Sequence, residues 1–202
     1  MSRAKEAGQS EVVRQMSEAS TDNPWQTVST ETRYDNPWIT VTHNQVINPA
    51  GNNGIYGKVH FKNKGIAILP LDEDNNTWLV GQYRYTINAY SWEIPEGGGA
   101  DTSTPLETAK RELLEETGIE ASRWTEILYA HMSNSVTDER AYGFIAQDLQ
   151  FTTAQPEETE ALSLIKLPFD EALDMALSGK ITDILAVTCL LKAAHLLEKG
   201  II

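Results

Sequence analysis

The stretch GGGADTSTPLETAKRELLEETGIE, residues 97–120, decides the fold prediction. After its opening glycines comes a strong helix start, because Thr104 can serve as the N-cap and Glu107 then completes a capping box. Gly118 follows the last turn, and glycine is typical of the position just after a helix end. The pattern therefore predicts a glycine-rich loop followed by a helix over 105–117.

The glutamates of this helix are crowded onto one side. Glu112, Glu115 and Glu116 fall within an arc of roughly 100°, beside the apolar stripe. Such like charges repel by roughly 0.2–0.5 kcal/mol per pair in isolation, whereas a divalent cation between them would reverse that sign. A solvated acidic face is the alternative, but the shared arc and the preceding glycines favour a metal site. Arg111 is spaced to pair with Glu107 and Glu115, so we expect it to hold Glu115 in place.

The bulk composition narrows the class of protein. The chain has 202 residues, 41% of them hydrophobic, and a net charge of -13. That charge argues against binding to nucleic acids or to anionic membrane surfaces. No apolar run predicts a signal peptide or a membrane span, and the single Cys189 lies in an apolar stretch typical of a buried hydrophobe. We therefore expect a cytoplasmic protein.

Along the chain, strand patterns precede and follow the helix. Residues 1–20 are polar and predict a disordered tail, with a marginal helix as the alternative. Residues 21–48 hold two DNPW turns, each followed by an alternating run, which predicts a β-hairpin. Residues 49–202 then read as the main domain and end in helices near 169–178 and 182–199. This order favours an α+β fold over a regular alternating parallel sheet.

At this point the residues resemble a known family, the Nudix hydrolases. Their signature is Gly, five residues, Glu, seven residues, then Arg-Glu-aliphatic-any-Glu-Glu-any-Gly-aliphatic. Gly97 opens it here and residues 111–119 close it without a gap, but Ser103 stands at the first Glu position. Further segments look like those of ADP-ribose pyrophosphatases and related nucleoside-diphosphate-sugar hydrolases, including GDP-mannose hydrolases: QYRY at 82–85, WEIPEG at 92–97 and GKITD at 179–183.

The resemblance implies a Nudix fold, a mixed β-sheet sandwiched between α-helices, here with an N-terminal β-hairpin extension. It also implies Mg²⁺-dependent hydrolysis of a nucleoside diphosphate sugar to a nucleoside monophosphate and a sugar 1-phosphate, with Mn²⁺ as a substitute. By position, Glu112 and Glu116 are the principal metal ligands and Glu115 joins them. The backbone carbonyl of Glu96 is a further ligand, and the Glu96 side chain is unusual because relatives mostly carry Ala there.

The resemblance further implies a catalytic base on the loop before a late strand. Glu160 is favoured as an additional metal ligand or base, and Glu158 comes next. An ordinary acidic surface loop is the alternative.

Substrate contacts are implied in the same way. Arg84 is the candidate for the pyrophosphate, because its fork suits bidentate phosphate binding. Glu93 is the candidate for a sugar hydroxyl, with a strand-end salt bridge as the alternative. Tyr85, Tyr90 and Trp38 are candidates for stacking on a base or sugar, with core packing equally favoured. Glu139 is a further candidate, because it lies in a segment that resembles the relatives' Asp-Glu-Arg.

The resemblance implies a homodimer in which the N-terminal strands are exchanged between subunits. Two other functions stay open. One is hydrolysis of nucleoside triphosphates or dinucleoside polyphosphates, which residues outside the signature do not favour. The other is a non-catalytic nucleotide-sugar sensor, for which Ser103 is the only support.

Overall fold

The computed structural model describes residues 22–153 and 162–202. The predicted tail over 1–20 and the loop that carries Glu158 and Glu160 lie outside these residues. None of the described helices is long and apolar enough to cross a bilayer. In chain order, the elements are β1 (Gln26–Asp35), β2 (Ile39–Ile47), β3 (Asn53–Phe61), β4 (Asn63–Pro70), β5 (Asn76–Arg84), β6 (Ala89–Glu93), β7 (Glu96–Ala100), α1 (Pro105–Thr117), β8 (Ile119–His131), β9 (Arg140–Phe151), β10 (Ser163–Pro168), α2 (Phe169–Leu177) and α3 (Ile184–Glu198).

The central sheet has the order β7-β4-β9-β8 and is mixed, because β4 and β9 run parallel while the other neighbours are antiparallel. Successive side chains of a strand point to opposite faces. Ile66 and Ile68 accordingly join the core cluster that contains the apolar side chains of α1. Ala67 and Leu69 join the cluster that contains α2 and α3. The predicted α+β fold, with a mixed sheet between helices, is confirmed.

A second sheet, with the order β10-β5-β6, holds residues named as substrate contacts. Strands β5 and β6 are antiparallel, with Val80 opposite Glu93 and Arg84 opposite Ala89. Glu93 lies opposite a residue four positions from Arg84 along β5, so the two side chains are on the same face of the sheet and must extend along the strands to meet.

The N-terminal strands form a third sheet, with the order β1-β2-β3. The connection between β1 and β2 spans residues 36–38, and the Asn36 side chain accepts hydrogen bonds from the backbone N–H groups of Trp38 at 2.9 Å and Ile39 at 2.7 Å. Asparagine often makes such turns because its short side chain can replace a backbone acceptor. The predicted hairpin is present, and β3 adds a strand to it.

Contacts divide the described chain into two units. One comprises the described residues up to Glu31 together with His43–Gly57, and the other comprises Thr32–Thr42 with Lys58–Ile202. Inside the first unit, the rings of Trp25 and Tyr56 meet edge to face at 5.4 Å. The second unit contains all of the elements that carry the candidate site.

The three consecutive glycines are part of a strand and not of the predicted loop. They lie in β7, which pairs with β4 from Ala67↔Glu96 to Asn63↔Ala100. A Cβ atom at Gly97 would lie 2.0 Å from the Glu112 carboxyl carbon, and one at Gly99 would lie 2.3 Å from the Thr108 hydroxyl. Glycine is therefore needed for close packing of α1 on β7, which a local reading as a loop misses.

Candidate active site

Helix α1 begins and ends as the sequence predicts. The Thr104 hydroxyl accepts a hydrogen bond from Glu107 N–H at 3.2 Å, and the Glu107 carboxylate accepts one from Thr104 N–H at 2.8 Å. These hydrogen bonds lower the pKa of Glu107, chiefly through the backbone of Thr104. Gly118 ends the helix in the left-handed region at φ 67°. Glu107 thus serves the N-cap, which is the structural role predicted for it.

Arg111 links the helix carboxylates to the adjacent strand. Its guanidinium donates to the carboxylates of Glu115 and Glu112, and to the carbonyl of Gly98 at 3.0 Å. The predicted pair with Glu115 is therefore present, whereas Glu107 is bound to its own cap. Because one planar guanidinium contacts both α1 and β7, Arg111 fixes the two elements relative to each other.

Two of the three glutamates of the signature are buried against β7. Glu112 is 8% exposed, Glu116 is 5% exposed, and the Glu116 carboxylate accepts a hydrogen bond from Glu96 N–H at 3.0 Å. Buried carboxylates are rare unless they are paired or bind a metal. Glu115 is more open, with 30% of its side chain exposed. Glu112 and Glu116 therefore lie where α1 faces the β7 backbone, and Glu115 is bound by Arg111.

In this structure, Arg111 binds the carboxylates of Glu112 and Glu115. Among the residues that the structure describes, no three Asp, Glu, His or Cys side chains are arranged to hold a metal ion. The donor chemistry nevertheless fits one, because hard carboxylate oxygens converge beside a strand that glycine allows to approach closely. A divalent cation bound there would share the carboxylates of Glu112 and Glu115 with Arg111.

A cavity of about 380 Å³ is lined in part by Gly97 and Gly98, on the strand against which Glu112 and Glu116 are buried, whereas the helix carboxylates themselves do not line it. It lies against β7 and the start of α3. Its lining is rich in charged and polar groups, and the residues that matter most here are Arg84, Glu96, Gly97, Gly98, Glu139 and Asp183. The structure thus brings Arg84, Glu96 and Glu139, three residues predicted from the sequence, into one cavity next to the signature helix.

Arg84 and Glu93, which were predicted as separate contacts, bind each other. The Arg84 Nε donates to both Glu93 carboxylate oxygens, at 3.0 and 3.1 Å, and Nη2 donates to one of them. Glu93 is 3% exposed, so its charge is compensated inside the protein by this arginine. The Glu93 hydrogen bond is also the largest cause that raises the pKa of Arg84. Glu93 therefore orients the guanidinium at the cavity wall, as a salt bridge at the end of a strand.

Three further carboxyl groups meet at the same cavity. The side chains of Glu96 and Asp183 lie close enough for their charges to interact, and Asp183 caps α3 by accepting from Ala186 N–H at 2.8 Å. Burial, followed by the charge of Asp183, raises the pKa of Glu96 well above its usual range. Burial and Asp183 likewise raise the pKa of Glu139. The carboxyl groups of Glu96 and Glu139 therefore retain their protons more strongly than ordinary carboxyl groups do.

Glu139 is held at the cavity by its neighbour in the chain. Asp138 accepts hydrogen bonds or ion pairs from Lys58 at 2.7 Å, from His60 at 2.8 Å and from the backbone N–H of Phe61 at 3.1 Å. Although burial raises the pKa of Asp138, these partners together lower it to about 2. The segment before β9 is thus tied to the end of β3, which fixes the place of Glu139.

Ser103 lies at a junction that a buried lysine supports. The Lys64 ammonium donates to the backbone carbonyls of Ala100 at 2.6 Å and Ser103 at 2.7 Å. The Ser103 hydroxyl is 2.9 Å from that of Thr108. Lys64 is 5% exposed, so this ammonium depends on the carbonyls for solvation. The junction between β7 and α1 is therefore held without a carboxylate at position 103.

The other predicted site residues either lie away from the cavity or fall outside the residues that the structure describes. Tyr85 is 94% exposed, Trp38 is 65% exposed, and neither lines the cavity. Glu158 and Glu160 fall within 154–161, outside the described residues.

Sequence reasoning assigned no role to Asp183 or Lys64. Asp183 is the last residue of the GKITD segment. The family resemblance includes this segment, but it gives Asp183 no functional role. Lys64, at the start of an apolar strand, gave no local signal, because only the fold brings its carbonyl partners to it.

Comparison with known proteins agrees with this geometry. The family profile described as "NUDIX domain" matches residues 62–184, and the profile described as "Nucleoside diphosphate sugar hydrolase N-terminal domain" matches residues 25–59. A protein named "ADP-ribose pyrophosphatase" from Mycobacterium tuberculosis is 29% identical over 184 residues, which cover 89% of this chain and 87% of that protein.

Two further matches show the range of relatives. A protein named "GDP-mannose pyrophosphatase" from Yersinia enterocolitica is 30% identical over 137 residues, covering 62% of this chain and 71% of the relative. A solved structure titled "Crystal structure of ADP compounds hydrolase" has a TM-score of 0.80 at 20% identity, covering 90% of this chain and 98% of that one. At that identity, the structural match supports the shared fold alone.

Proposed function

The chain belongs to the Nudix family, and we propose that it hydrolyses the pyrophosphate bond of nucleoside diphosphate sugars, releasing a nucleoside monophosphate and a sugar 1-phosphate. One observation carries the proposal: the buried carboxylates of α1 face β7 beside a polar cavity that contains an arginine. The relatives named for ADP-ribose and GDP-mannose, and the N-terminal profile named for nucleoside diphosphate sugars, support this substrate class.

Members of this family generally use divalent metal ions. We propose Mg²⁺, with Mn²⁺ as a substitute, bound by Glu112 and Glu116 with Glu115 and the backbone carbonyl of Glu96. When bound, the metal supplies a Lewis acid that offsets the negative charge of the pyrophosphate. Arg111 orients Glu112 and Glu115, which keeps the carboxylates in place before the metal arrives.

Arg84 is the residue proposed to bind the pyrophosphate. Glu93 takes Nε and Nη2 of its guanidinium, and Nη1 is the edge proposed to contact a phosphate oxygen. Since Glu93 fixes the orientation of the fork, little conformational freedom is lost when the phosphate binds. Glu160, and next Glu158, remain the proposed bases for the attacking water. Tyr85 and Trp38 remain proposed stacking residues.

We propose that the active form is a homodimer, with residues 21–48 exchanged between subunits and residues 49–202 forming the hydrolase domain. The exposed apolar side chains of the N-terminal sheet support this, since Val28 is 64% exposed and Ile55 is 66% exposed. Burial of these two side chains against a second chain would remove their apolar surface from water.

A substrate panel tests the proposal. The purified protein is incubated with ADP-ribose, ADP-glucose, GDP-mannose, nucleoside triphosphates and a dinucleoside polyphosphate, with Mg²⁺ or Mn²⁺, and phosphate-containing products are measured. We expect nucleotide sugars to be preferred and Glu116→Gln to abolish their turnover while the fold is retained by circular dichroism. Glu120→Gln, an exposed glutamate on β8, is the matched control and keeps full activity.

Several results would contradict the proposal. A preference of about tenfold or more for a triphosphate would assign the chain to the other branch of hydrolases. Binding of a nucleotide sugar without turnover, measured by calorimetry, would indicate a sensor. Full activity of Glu116→Gln would refute the metal assignment.

A further inference from the structure

Two glycines lie directly opposite each other in the central sheet. Gly65 of β4 pairs with Gly98 of β7, and residues that are paired in this way present the same face of the sheet. Gly65 shares that face with Ala67, which is buried in the core cluster that contains α2 and α3. Gly97 and Gly99 present the other face, toward α1. The four glycines therefore serve two different faces of the sheet.

Packing within the protein does not require glycine at position 65 or 98. A Cβ atom at Gly98 would lie 3.6 Å from the Asn63 side chain, and one at Gly65 would lie 3.6 Å from Ala141 and 3.7 Å from Leu185. These are ordinary van der Waals distances. Neither glycine has a positive φ, so the backbone does not require glycine either. The absence of a side chain at these two positions needs another reason.

Both glycines line the cavity of about 380 Å³. Gly98 is exposed and Gly65 is half-buried, although β4 is an inner strand and Ala67, the next residue on the same face, is fully buried. A glycine inside a strand weakens the strand, and such a glycine often marks the place where a ligand approaches the backbone closely. The pair therefore forms a bare backbone floor that keeps this cavity open.

The walls around this floor indicate which part of a ligand lies on it. None of the described residues that line the cavity is aromatic, so it offers no platform for a nucleobase. Arg84, at one wall, is the proposed contact of the pyrophosphate. The other walls combine the apolar side chains of Met132 and Leu185 with the carboxyl groups of Glu139 and Asp183. A sugar ring matches this combination, because it has apolar C–H faces and hydroxyl donors at its edge.

We propose that Gly65 and Gly98 are specificity-determining residues whose bare backbone admits the sugar beyond the pyrophosphate. This inference rests on the proposed function and deepens it. A side chain at either position would occupy space that the sugar ring needs. Added bulk at the floor should therefore select against the distal sugar and leave binding of the pyrophosphate unchanged.

Gly98 is the better position for a test. In the described part of the chain, a Cβ atom there meets only Asn63 within 4 Å, so it leaves Arg84 clear. Gly98→Ala adds a methyl group and Gly98→Val adds an isopropyl group, and neither removes the backbone carbonyl that accepts from Arg111. Gly57→Val, on β3, is the matched control, because a Cβ atom at Gly57 meets none of the described residues within 4 Å and Gly57 does not line the cavity.

The test is calorimetric binding of two non-hydrolysable probes in Mg²⁺: the α,β-methylene analogue of ADP-ribose and α,β-methylene-ADP, which lacks the distal sugar. We expect Gly98→Val to weaken binding of the first probe by at least about tenfold and to change binding of the second by less than about threefold. Gly98→Ala should show a smaller loss, again for the first probe alone. Gly57→Val should bind both probes within about threefold of the wild type.

Urea denaturation separates this role from a structural one. Because glycine weakens a strand and a Cβ atom at position 98 meets no close neighbour, Gly98→Ala should unfold at the same urea concentration as the wild type or at a higher one. Stability is then kept while binding of the sugar is lost. A glycine that the fold itself requires would lose stability on the same substitution.

Three results overturn the inference. If Gly98→Val binds both probes as the wild type does, or weakens both equally, the distal sugar does not lie on this floor; if Gly98→Val does not fold, Gly98→Ala decides by the same comparison. If Gly98→Ala unfolds at a lower urea concentration than the wild type, the glycine serves the fold. A wild type that binds neither probe also contradicts the inference. The proposed reaction fails separately, if the wild type turns over no nucleotide sugar in the substrate panel.

Discussion

At the scale of single residues, Gly97 decides how closely the signature helix approaches the sheet. The Glu112 carboxylate occupies the space where a side chain at position 97 would begin. The first residue of the Nudix signature and the first of its helix carboxylates are therefore coupled by direct contact. This coupling gives the glycine a physical role beyond flexibility, because it makes room for a buried carboxylate.

Gly97→Ala should impair activity without unfolding the protein. A Cβ atom 2.0 Å from the Glu112 carboxyl carbon forces that carboxylate to move. A misplacement of this size at an active site costs on the order of 100-fold in rate, so we expect a comparable fall in kcat/KM for a nucleotide sugar. Gly57→Ala is the control, because a Cβ atom there meets nothing within 4 Å. An unimpaired Gly97→Ala enzyme would show that the Glu112 position is not critical.

Lys64 is a second single residue with a structural role, because it supports the junction between β7 and α1. Its two carbonyl partners, on Ala100 and Ser103, lie on the segment that leads into the helix. Burial of an ammonium is tolerated only where hydrogen bonds replace its water. The junction is thus held from β4, although position 103 carries no carboxylate.

Lys64→Met should destabilise the fold. The substitution removes the two hydrogen bonds that the Lys64 ammonium donates, and loss of hydrogen bonds to a charged group costs about 1.5–3 kcal/mol. We expect a fall of that size in the free energy of unfolding, measured by urea denaturation. Lys110→Met, at an exposed position of α1, should change it by less than about 0.5 kcal/mol. Equal stability of the two variants would contradict the support role.

At the scale of elements, the turn between β4 and β5 shows how one carboxylate joins three strands. Asp72 accepts from the backbone N–H groups of Asp74 at 3.0 Å and Asn76 at 2.7 Å, and it pairs with Lys166 of β10 at 2.7 Å. Asn75 adopts the left-handed region at φ 57°, which asparagine tolerates. The turn and the second sheet are therefore linked through one side chain.

The contribution of Asp72 should depend on pH. Although burial raises the pKa of Asp72, Lys166 and Asn76 lower it to about 2, below the ordinary value near 3.9. Because the folded-state pKa is depressed, the stabilisation is complete above about pH 4 and is lost as the pH falls toward about 2. We expect Asp72→Asn to be less stable than the wild type at pH 7 and the difference to shrink in acid. Urea denaturation at both pH values checks this, and a constant difference would contradict it.

At the scale of the whole molecule, the N-terminal sheet is the part that a single chain leaves most open. All ten positions of β1 are exposed, and β1 is an edge strand. Exposed edge strands offer unpaired backbone groups to another chain. The proposed exchange of N-terminal strands would cover this surface.

The dimer is tested by the molar mass in solution. Light scattering should give twice the 22.4 kDa of one chain. Val28→Lys, on β1, should shift the population toward monomer because it places a charge in the proposed interface. Leu177→Lys is the matched control, since Leu177 on α2 is similarly exposed at 65%. A monomeric wild type would refute the proposed assembly.

The sequence by itself determined the features that depend on neighbours in the chain. The N-cap at Thr104, the helix that follows it, the hairpin after Asp35 and the arc of glutamates are all local consequences of residue type and spacing. The signature was recognisable for the same reason, since its residues lie on one helix and its approach. The fold class followed from the order of these local elements.

Only the tertiary structure decided which distant groups meet. The glycines form a strand because β4 supplies hydrogen-bond partners, Arg84 is bound by Glu93 because β5 and β6 pair, and Asp183 reaches Glu96 because α3 starts beside β7. Such contacts join residues from separate parts of the chain, so no local pattern encodes them. Their energies depend on burial and on the partners that packing provides, and both exist only after the chain has folded.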